Sequence, residues 1–298
     1  MLTLANFRFR NVFEHLGGPV SRVETSDFLV EGRRTFQANA HLRAELLPSR
    51  AKPLLYGDAD GTGTDDSPLL ARHKAVSESI ERWAYYTCIT SDRRSQHGFD
   101  LDPTSTGMAA FPGLFARQAR ASAYFEAVER HSVLAWWEGL IGGFARKTRW
   151  PGVTAWVIWD QPGEVSVILH KACEGGFHVY GRSAAPTFDA ACEHAVIELA
   201  RREYVSRTYW LARVGSFTTP PADMGILERR SLFFSSQEGH DCFQLRATLR
   251  PTSAPPKRRL VFDGPIAGPW SRYADVWRVL FEPPSQAFLS PDTQYFFL

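Results

Sequence analysis

The sequence predicts a mixed α/β fold of the α+β kind, and three observations support this. Three long stretches have apolar residues at helical spacing, two stretches rich in β-branched residues flank a turn, and short strands follow in the C-terminal part. Of the 298 residues, 44% are hydrophobic, so a sizeable core is expected. No shift in composition marks a linker, and one domain over residues 1–298 is predicted.

The predicted elements begin and end at local signals such as Pro68, which opens a helix with Asp66 or Ser67 as its cap. In chain order they are an early strand around Leu2 to Phe9, a strand at residues 20–23, a Gly/Asp/Thr-rich loop at 57–66, a helix from Pro68 to about 88, a helix at about 112–138, a hairpin with arms at 154–159 and 165–171, a helix at about 186–204, and strands at 243–249, 258–262 and 275–281.

Charge and composition argue against several classes of protein. Lys and Arg number 34 against 32 Asp and Glu, so the net charge of +2 indicates neither a nucleic-acid nor a membrane-surface partner. No uncharged apolar run approaches the roughly 18 residues of a membrane span. The four cysteines are far apart, which is typical of reduced thiols in the cytoplasm. We therefore expect a cytoplasmic protein without a nucleic-acid or membrane partner.

Two of the predicted helices contain nearly the same phrase, ESIERW and EAVERH. Residues i and i+3 of a helix lie on one face, so each phrase forms a pair of carboxylates followed by an arginine. The residues concerned are Glu78, Glu81 and Arg82 in the first helix and Glu126, Glu129 and Arg130 in the second.

The carboxylate pairs have two interpretations. A single Glu-x-x-Glu-Arg is typical of a solvated helix face. Here both copies have apolar flanks, and burying carboxylates costs on the order of several kcal/mol per ion unless something compensates. Mg²⁺ bound by carboxylates and substrate phosphates would compensate. The repeat therefore favours a site for Mg²⁺ and a nucleoside triphosphate, with the solvated face as the alternative.

A Gly-x-Gly pattern, Gly61 and Gly63, comes shortly before the first of these helices. Backbone amides at such a position can face an anion. The pattern is neither the GxGxxG of a dinucleotide-binding unit nor a Walker loop, so a plain connection before a capped helix is an equal alternative.

In order and spacing, these residues resemble the YcaO family. The likeness extends over about residues 57–204, and residues 18–22 are also similar to the family's opening strand. The family's three signatures resemble Gly61, Gly63, Ala71, Ala75, Glu78, Ser79, Glu81 and Arg82, then Ser105, Gly107, Glu126, Glu129 and Arg130, and finally Ala191, Ala195, Glu198 and Arg201.

The resemblance implies one YcaO-like domain whose long helices carry paired glutamates around a nucleotide cleft. It implies ATP and Mg²⁺ as cofactors and phosphorylation of a peptide-backbone amide oxygen, which a nucleophile then replaces. The product is an azoline, thioamide or amidine in a ribosomally made peptide. Metal binding is implied for Glu78, Glu81, Glu126 and Glu129, cofactor binding also for Lys74, Arg82, Ser105 and Arg22, and catalysis for Arg130 and Arg278.

The chain departs from the family pattern at several positions. Lys74 stands where a small hydroxyl residue is usual, and it would either pair with phosphate or block ATP. Thr106 replaces an Asn, His131 replaces an Asp, and the ending SPDTQYFFL lacks the Pro-rich tail of azoline-forming members. The alternative function is therefore a non-catalytic scaffold of the same fold that docks a peptide or another biosynthetic protein.

Partners are implied by the same resemblance. We expect a precursor peptide and a leader-binding or activating partner protein, and a homodimer is left open. A separate observation concerns His170 and His178, which flank Cys173. Their spacing fits no usual zinc site, so the sequence predicts ordinary residues at strand ends.

Overall fold

The structure is a computed structural model that describes residues 3–47, 55–212, 223–251 and 257–297. Helices and antiparallel sheets are combined in this part of the chain, which confirms the predicted α+β class. The elements are α1 (Ala5–Arg8), β1 (Val20–Val30), β2 (Arg33–Leu42), β3 (Gly61–Asp65), α2 (Pro68–Ile89), β4 (Met108–Phe111), α3 (Arg117–Trp137), β5 (Phe144–Lys147), β6 (Val153–Gln161), β7 (Glu164–Ala172), β8 (His178–Ala185), α4 (Phe188–Ala212), α5 (Ile226–Ser235), α6 (Gln237–Thr248), β9 (Leu260–Pro265) and β10 (Asp275–Phe281).

The chain divides into two compact units. The first comprises Met1–Lys52, Asp58–Ala127 and Arg259–Glu282, and the second comprises Pro53–Gly57, Val128–Arg258 and Pro283–Leu298. The first unit contains two sheets with strand orders β1-β2-β3 and β4-β10-β9, and the second contains one sheet with the order β5-β6-β7-β8. The single domain over residues 1–298 stays a prediction.

Helix α2 forms where the sequence predicts it. The Ser67 hydroxyl accepts a hydrogen bond from the Leu70 amide at 3.4 Å, and Pro68 occupies the first turn, where its missing N–H costs nothing. The core of the first unit fully buries three residues of α2, namely Ala71, Ala75 and Ile80. Their burial, more than intrinsic propensity, stabilises the helix.

In each unit, one helix lies unusually close to one strand. A methyl group at Gly63 of β3 would overlap the backbone of Ala71 and Ala75 in α2. In the second unit, a methyl group at Gly181 of β8 would overlap the Ala195 carbonyl of α4. Only glycine on the strand lets the helix backbone come this close, and on the helix side an alanine lies at each contact.

The predicted loop at 57–66 is partly wrong, because residues 61–65 form β3 and pair with β2, with Gly63 opposite Ala38. Gly and Asp are depleted in strands, so local propensity predicts a loop. Close packing of α2 on the glycines overrides that propensity. The glycines therefore have a packing role that the sequence pattern does not reveal.

Two predicted strands are also wrong. The early strand is the single turn α1, in which the core residues Ala5 and Phe9 are four apart while Phe7 is exposed. Residues 243–249 fall largely in α6, where Phe243 and Ala247 are buried at the same helical spacing. Short apolar runs fit both the period of a strand and the period of a helix, so tertiary packing decides which of the two forms.

The remaining predicted elements are confirmed with shifted ends. The hairpin is β6 and β7, and the two C-terminal strands are β9 and β10. The second predicted helix begins later, at Arg117, and the third runs on to Ala212. In the described part of the chain, no helix combines the length and the apolar character needed to cross a bilayer.

Gly63→Ala tests the close approach of α2 to β3. The added methyl group must displace helix backbone, so we expect the free energy of unfolding to fall by about 1–3 kcal/mol. Thermal denaturation should show a melting temperature lower by about 2–4 °C for each kcal/mol lost. Gly57→Ala is the matched control, because a methyl group there meets open space. Equal melting temperatures for both variants would contradict this account of the packing.

Candidate functional site

Three carboxylates surround one guanidinium in the first unit. Glu78, Glu81 and Arg82 come from α2, and Glu126 comes from α3. Although burial of the Arg82 guanidinium opposes its charge, the carboxylates of Glu81, Glu78 and Glu126 raise its pKa above the ordinary value. We call these four residues the Arg82 cluster. Both predicted helices therefore contribute to it.

Within the Arg82 cluster, Glu78 is held from two sides. Its carboxylate accepts a hydrogen bond from the Thr62 amide at 2.9 Å and lies 3.5 Å from the Arg82 guanidinium. The side chain remains about one-third exposed. Thr62 lies between the two glycines of β3, so the strand that packs closely on α2 also fixes the direction of this carboxylate.

The Glu81 carboxyl group is much less accessible. Its residue is only 9% exposed, and burial raises its pKa to about 8, with Arg82 opposing the shift and Glu78 adding to it. A carboxyl group in this state is largely protonated at neutral pH. It becomes a ligand or counter-ion only when a further positive charge favours its ionised form.

The other predicted cofactor-binding residues of the first unit all contact protein groups. The Ser105 hydroxyl accepts a hydrogen bond from Arg82. Lys74 is half exposed, lies 2.8 Å from Asp65 and donates to the Thr64 carbonyl. Arg22 is exposed and pairs with Glu24 at 2.9 Å. Ser105 therefore adjoins the Arg82 cluster, whereas Lys74 and Arg22 are engaged in other ion pairs.

Glu129 belongs to the second unit, where it forms a different ion pair. Its carboxylate lies 2.8 Å from the Arg182 guanidinium, and both side chains are only 13% exposed. Burial raises the pKa of Glu129 to about 7 against the influence of Arg182, and the nearby Glu198 adds to the shift. The sequence signatures do not include Arg182, because β8 brings it to Glu129 only in the folded chain.

The two arginines predicted to be catalytic are buried. Arg130 is 5% exposed, and its guanidinium lies over the rings of Phe297 and Phe288 at 3.6 and 4.5 Å. Arg278 is fully buried, donates to the Asp102 carbonyl at 2.8 Å and lies over the Phe99 ring. Both positions support packing within their own units, and the catalytic roles stay predictions.

The three departures from the family pattern also have internal contacts. The Lys74 ammonium is turned toward Asp65, as described above. The Thr106 hydroxyl accepts a hydrogen bond from Thr104 at 3.0 Å. Burial lowers the pKa of His131 to about 4, and Arg258 lowers it further, so this ring is neutral. A neutral imidazole stands where the family usually has a carboxylate.

The donor set of the Arg82 cluster fits a hard cation. Carboxylate oxygens are the protein ligands that Mg²⁺ prefers, and Mg²⁺ is usually held by one or two of them together with phosphates. In the described ranges, no three acidic side chains bring ligand atoms within 4.8 Å of one another. The cluster thus suits a cation that takes most of its remaining ligands from a nucleotide and water.

Comparisons with known proteins give a consistent result at the level of structure. No protein-family model matches the sequence, and no curated protein matches it. The YcaO protein of Methanopyrus kandleri, solved with AMPPCP and Mg²⁺ bound, is similar with a TM-score of 0.53 at 15% identity, over 96% of this chain and 90% of that chain.

Two further structures are similar over most of this chain. A chain of the E. coli microcin synthetase McbBCD complex with pro-MccB17 bound has a TM-score of 0.53 at 11% identity, over 87% of this chain and 86% of that one. A heterocyclase in complex with substrate and cofactor has a TM-score of 0.56 at 13% identity, over 94% of this chain but 52% of that one. The sequence resemblance is thus confirmed at the level of the fold, and the chain has the YcaO fold.

Proposed function

We propose that the protein binds Mg²⁺-ATP at the Arg82 cluster and activates backbone amides of a peptide by O-phosphorylation. One observation carries the proposal: carboxylates from both Glu-x-x-Glu helices interact electrostatically with Arg82, and that of Glu78 lies 3.5 Å from it, in a chain with the YcaO fold. The related Methanopyrus kandleri structure, whose ligands are AMPPCP and Mg²⁺, supports the choice of cofactor.

Each residue of the cluster has a distinct part in this proposal. Glu78, whose direction is fixed by the Thr62 amide, and Glu126 would hold Mg²⁺. Glu81 would ionise as the cation arrives, and Arg82 would be released from its carboxylates to pair with phosphate. The metal role predicted for Glu129 stays a prediction, because its carboxylate is paired with Arg182.

The chemistry follows from the poor leaving ability of an amide oxygen. Bound Mg²⁺-ATP supplies the phosphoryl group that converts this oxygen into a good leaving group. The protein's contribution is then positioning and charge stabilisation. Azoline, thioamide and amidine remain the candidate products, and they differ in whether a Cys, Ser or Thr side chain, sulfide or an amine attacks the activated carbon.

The proposed substrate is a ribosomally made precursor peptide, delivered by a leader-binding or activating partner protein. The similar chain of the McbBCD complex was solved with partner subunits and pro-MccB17 bound, which supports this choice. Incubation with a candidate peptide, its partner and Mg²⁺-ATP tests the proposal. Formation of ADP together with a mass change in the peptide supports it, and intact peptides with no ADP count against it.

One observation favours the alternative of a non-catalytic scaffold. Arg82 lies among the three carboxylates, and Arg182 pairs with Glu129, so protein side chains already compensate much of the buried negative charge. Lys74 is likewise engaged by Asp65. A scaffold of this kind would keep the fold through these ion pairs and would bind no nucleotide.

Glu126→Gln separates the two candidate functions, because it removes one charge and nearly keeps the shape. We expect the affinity for Mg²⁺-ATP to fall by about ten- to a hundredfold, the cost of losing one charge-assisted contact. The apo protein should be as stable as the wild type or slightly less stable, because Glu126 favours the charged form of Arg82 and the substitution removes that attraction. Isothermal calorimetry and thermal shift measure both quantities.

The matched control is Glu45→Gln in the first unit. Glu45 is exposed, and its ion-pair partner among the described residues is the nearby Arg43. The Mg²⁺-ATP affinity of this variant should equal that of the wild type. Undiminished binding by Glu126→Gln would remove this residue from the proposed site. Absence of Mg²⁺-ATP binding by the wild type would favour the scaffold.

The buried Glu81 makes the apo protein's stability depend on pH. Its folded pKa of about 8 lies above the ordinary value of 4.5, so the folded state retains the proton longer than the unfolded state does. The stabilising contribution is fully present below pH 4.5 and is lost as the pH rises through about 8. Relative to Glu81→Gln, the wild type should lose at most about 1.4 kcal/mol per pH unit.

Urea denaturation of both proteins at several pH values between 5 and 8 measures this difference. Binding of Mg²⁺ requires the ionised carboxylate, so the wild type's affinity for Mg²⁺-ATP should rise with pH in the same range. Glu81→Gln should show a flatter profile. Parallel stability curves for the two proteins would show that Glu81 is ionised already near pH 5.

A further inference from the structure

Three histidines meet in the second unit. His170 lies near the end of β7, His178 begins β8, and His240 lies in the first turns of α6. One ring nitrogen of each lies within 4.8 Å of the others, and no other such group of three His, Cys, Asp or Glu occurs in the described residues.

The register of the β7–β8 pair places these side chains on one face of the sheet. His170 is opposite Tyr180, and His178 is two residues before Tyr180 on the same strand. Residues opposite each other, and residues two apart, share a face. The third ring comes from α6, where His240 stacks on His178 with centroids 3.8 Å apart.

The hydrogen bonds of the three rings indicate which nitrogens carry lone pairs. His178 Nε2 lies 3.3 Å from the Gln237 side-chain oxygen, an acceptor, so this nitrogen is the protonated one and Nδ1 has the lone pair. That Nδ1 lies 3.0 Å from His170 Nε2, which is therefore the donor in the metal-free protein, and its proton must move to Nδ1 of the same ring before Nε2 can bind a metal. Two nitrogens bound to one tetrahedral zinc ion at about 2.0–2.1 Å are only slightly further apart, at about 3.3 Å.

Tyr180 orients the third ring. Its hydroxyl lies 2.9 Å from His240 Nδ1, and the Gln244 amide nitrogen lies 3.4 Å from His240 Nε2. An amide nitrogen only donates, so Nε2 accepts and Nδ1 donates to Tyr180. A metal-binding histidine typically donates one ring N–H to a neighbour that holds the ring, as Nδ1 does here, and on metal binding Nε2 would exchange its contact with Gln244 for the ion.

The three side chains form a donor set of imidazoles alone, in which His178 is buried and His170 and His240 are half-buried. Neutral imidazole is the metal ligand, and three imidazoles suit Zn²⁺ and neighbouring transition metals better than Mg²⁺.

We propose that His170, His178 and His240 bind one Zn²⁺ ion that ties α6 to the β7–β8 hairpin. The ion takes three nitrogen ligands and leaves its fourth position to water or another small ligand. The parallel rings of His178 and His240 must turn on binding, because their lone pairs lie in the ring planes and must converge on the ion. Rotation of the half-buried His240 side chain supplies this change. This proposal differs from the sequence prediction of ordinary strand-end residues at 170 and 178, which does not include His240.

Untagged, chelator-treated protein tests the proposal. Addition of Zn²⁺ should bring one equivalent onto the wild type and raise its melting temperature by mass action. Co²⁺ should give the intense visible bands of a four-coordinate ion. His240→Gln should lose all three signals, whereas the control His15→Gln, which changes an exposed histidine of the first unit, should keep them.

Tyr180→Phe provides a second variant that retains all three ligands. Loss of the group that orients His240 should weaken Zn²⁺ binding by about 10–100-fold. If His240→Gln fails to fold, the half-buried His170→Gln replaces it. No Zn²⁺ uptake by the wild type, or equal uptake by the wild type and a folded ligand variant, overturns the proposal. Mg²⁺-ATP binding at the Arg82 cluster is a separate property that neither outcome affects.

Discussion

The close approach of α2 to β3 is the constraint on which the rest of the first unit depends. Gly63 and the small residues Ala71 and Ala75 allow the helix backbone to contact the strand directly. As a result, the Thr62 amide can reach the Glu78 carboxylate at 2.9 Å. The short distance between α2 and β3 thus determines both the packing of the helix and the direction of the Glu78 carboxylate.

The same constraint explains which features could be predicted from the sequence. The start of α2 could be predicted because Ser67 and Pro68 act locally, and the carboxylate pairs could be predicted because helical spacing fixes which residues share a face. β3 could not be predicted, since its pairing depends on a helix that packs on glycines. Local propensity and tertiary packing disagree there, and packing decides.

In the candidate site, too, features set by local spacing could be predicted from the sequence, whereas features set by tertiary packing could not. Sequence spacing pairs Glu78 with Glu81 and Glu126 with Glu129, but it says nothing about their counter-ions. Arg82 is adjacent in sequence and therefore could be anticipated, whereas Arg182 reaches Glu129 from a separate strand. The three histidines are a further case, because His240 is far from His170 and His178 in the sequence, and only the packing of α6 brings them together.

The charge balance of the two glutamate sites distinguishes them physically. Glu129 pairs with Arg182, and the nearby Glu198 and Arg202 add one further carboxylate and one further guanidinium, so this site has equal numbers of the two groups. In the Arg82 cluster, one guanidinium faces three carboxylates, and burial holds Glu81 largely protonated at neutral pH. An added divalent cation favours the ionised form of that carboxyl group and offsets its desolvation. The excess of carboxylates over guanidinium groups is therefore the reason for proposing Mg²⁺ at the Arg82 cluster and for leaving the metal role of Glu129 as a prediction.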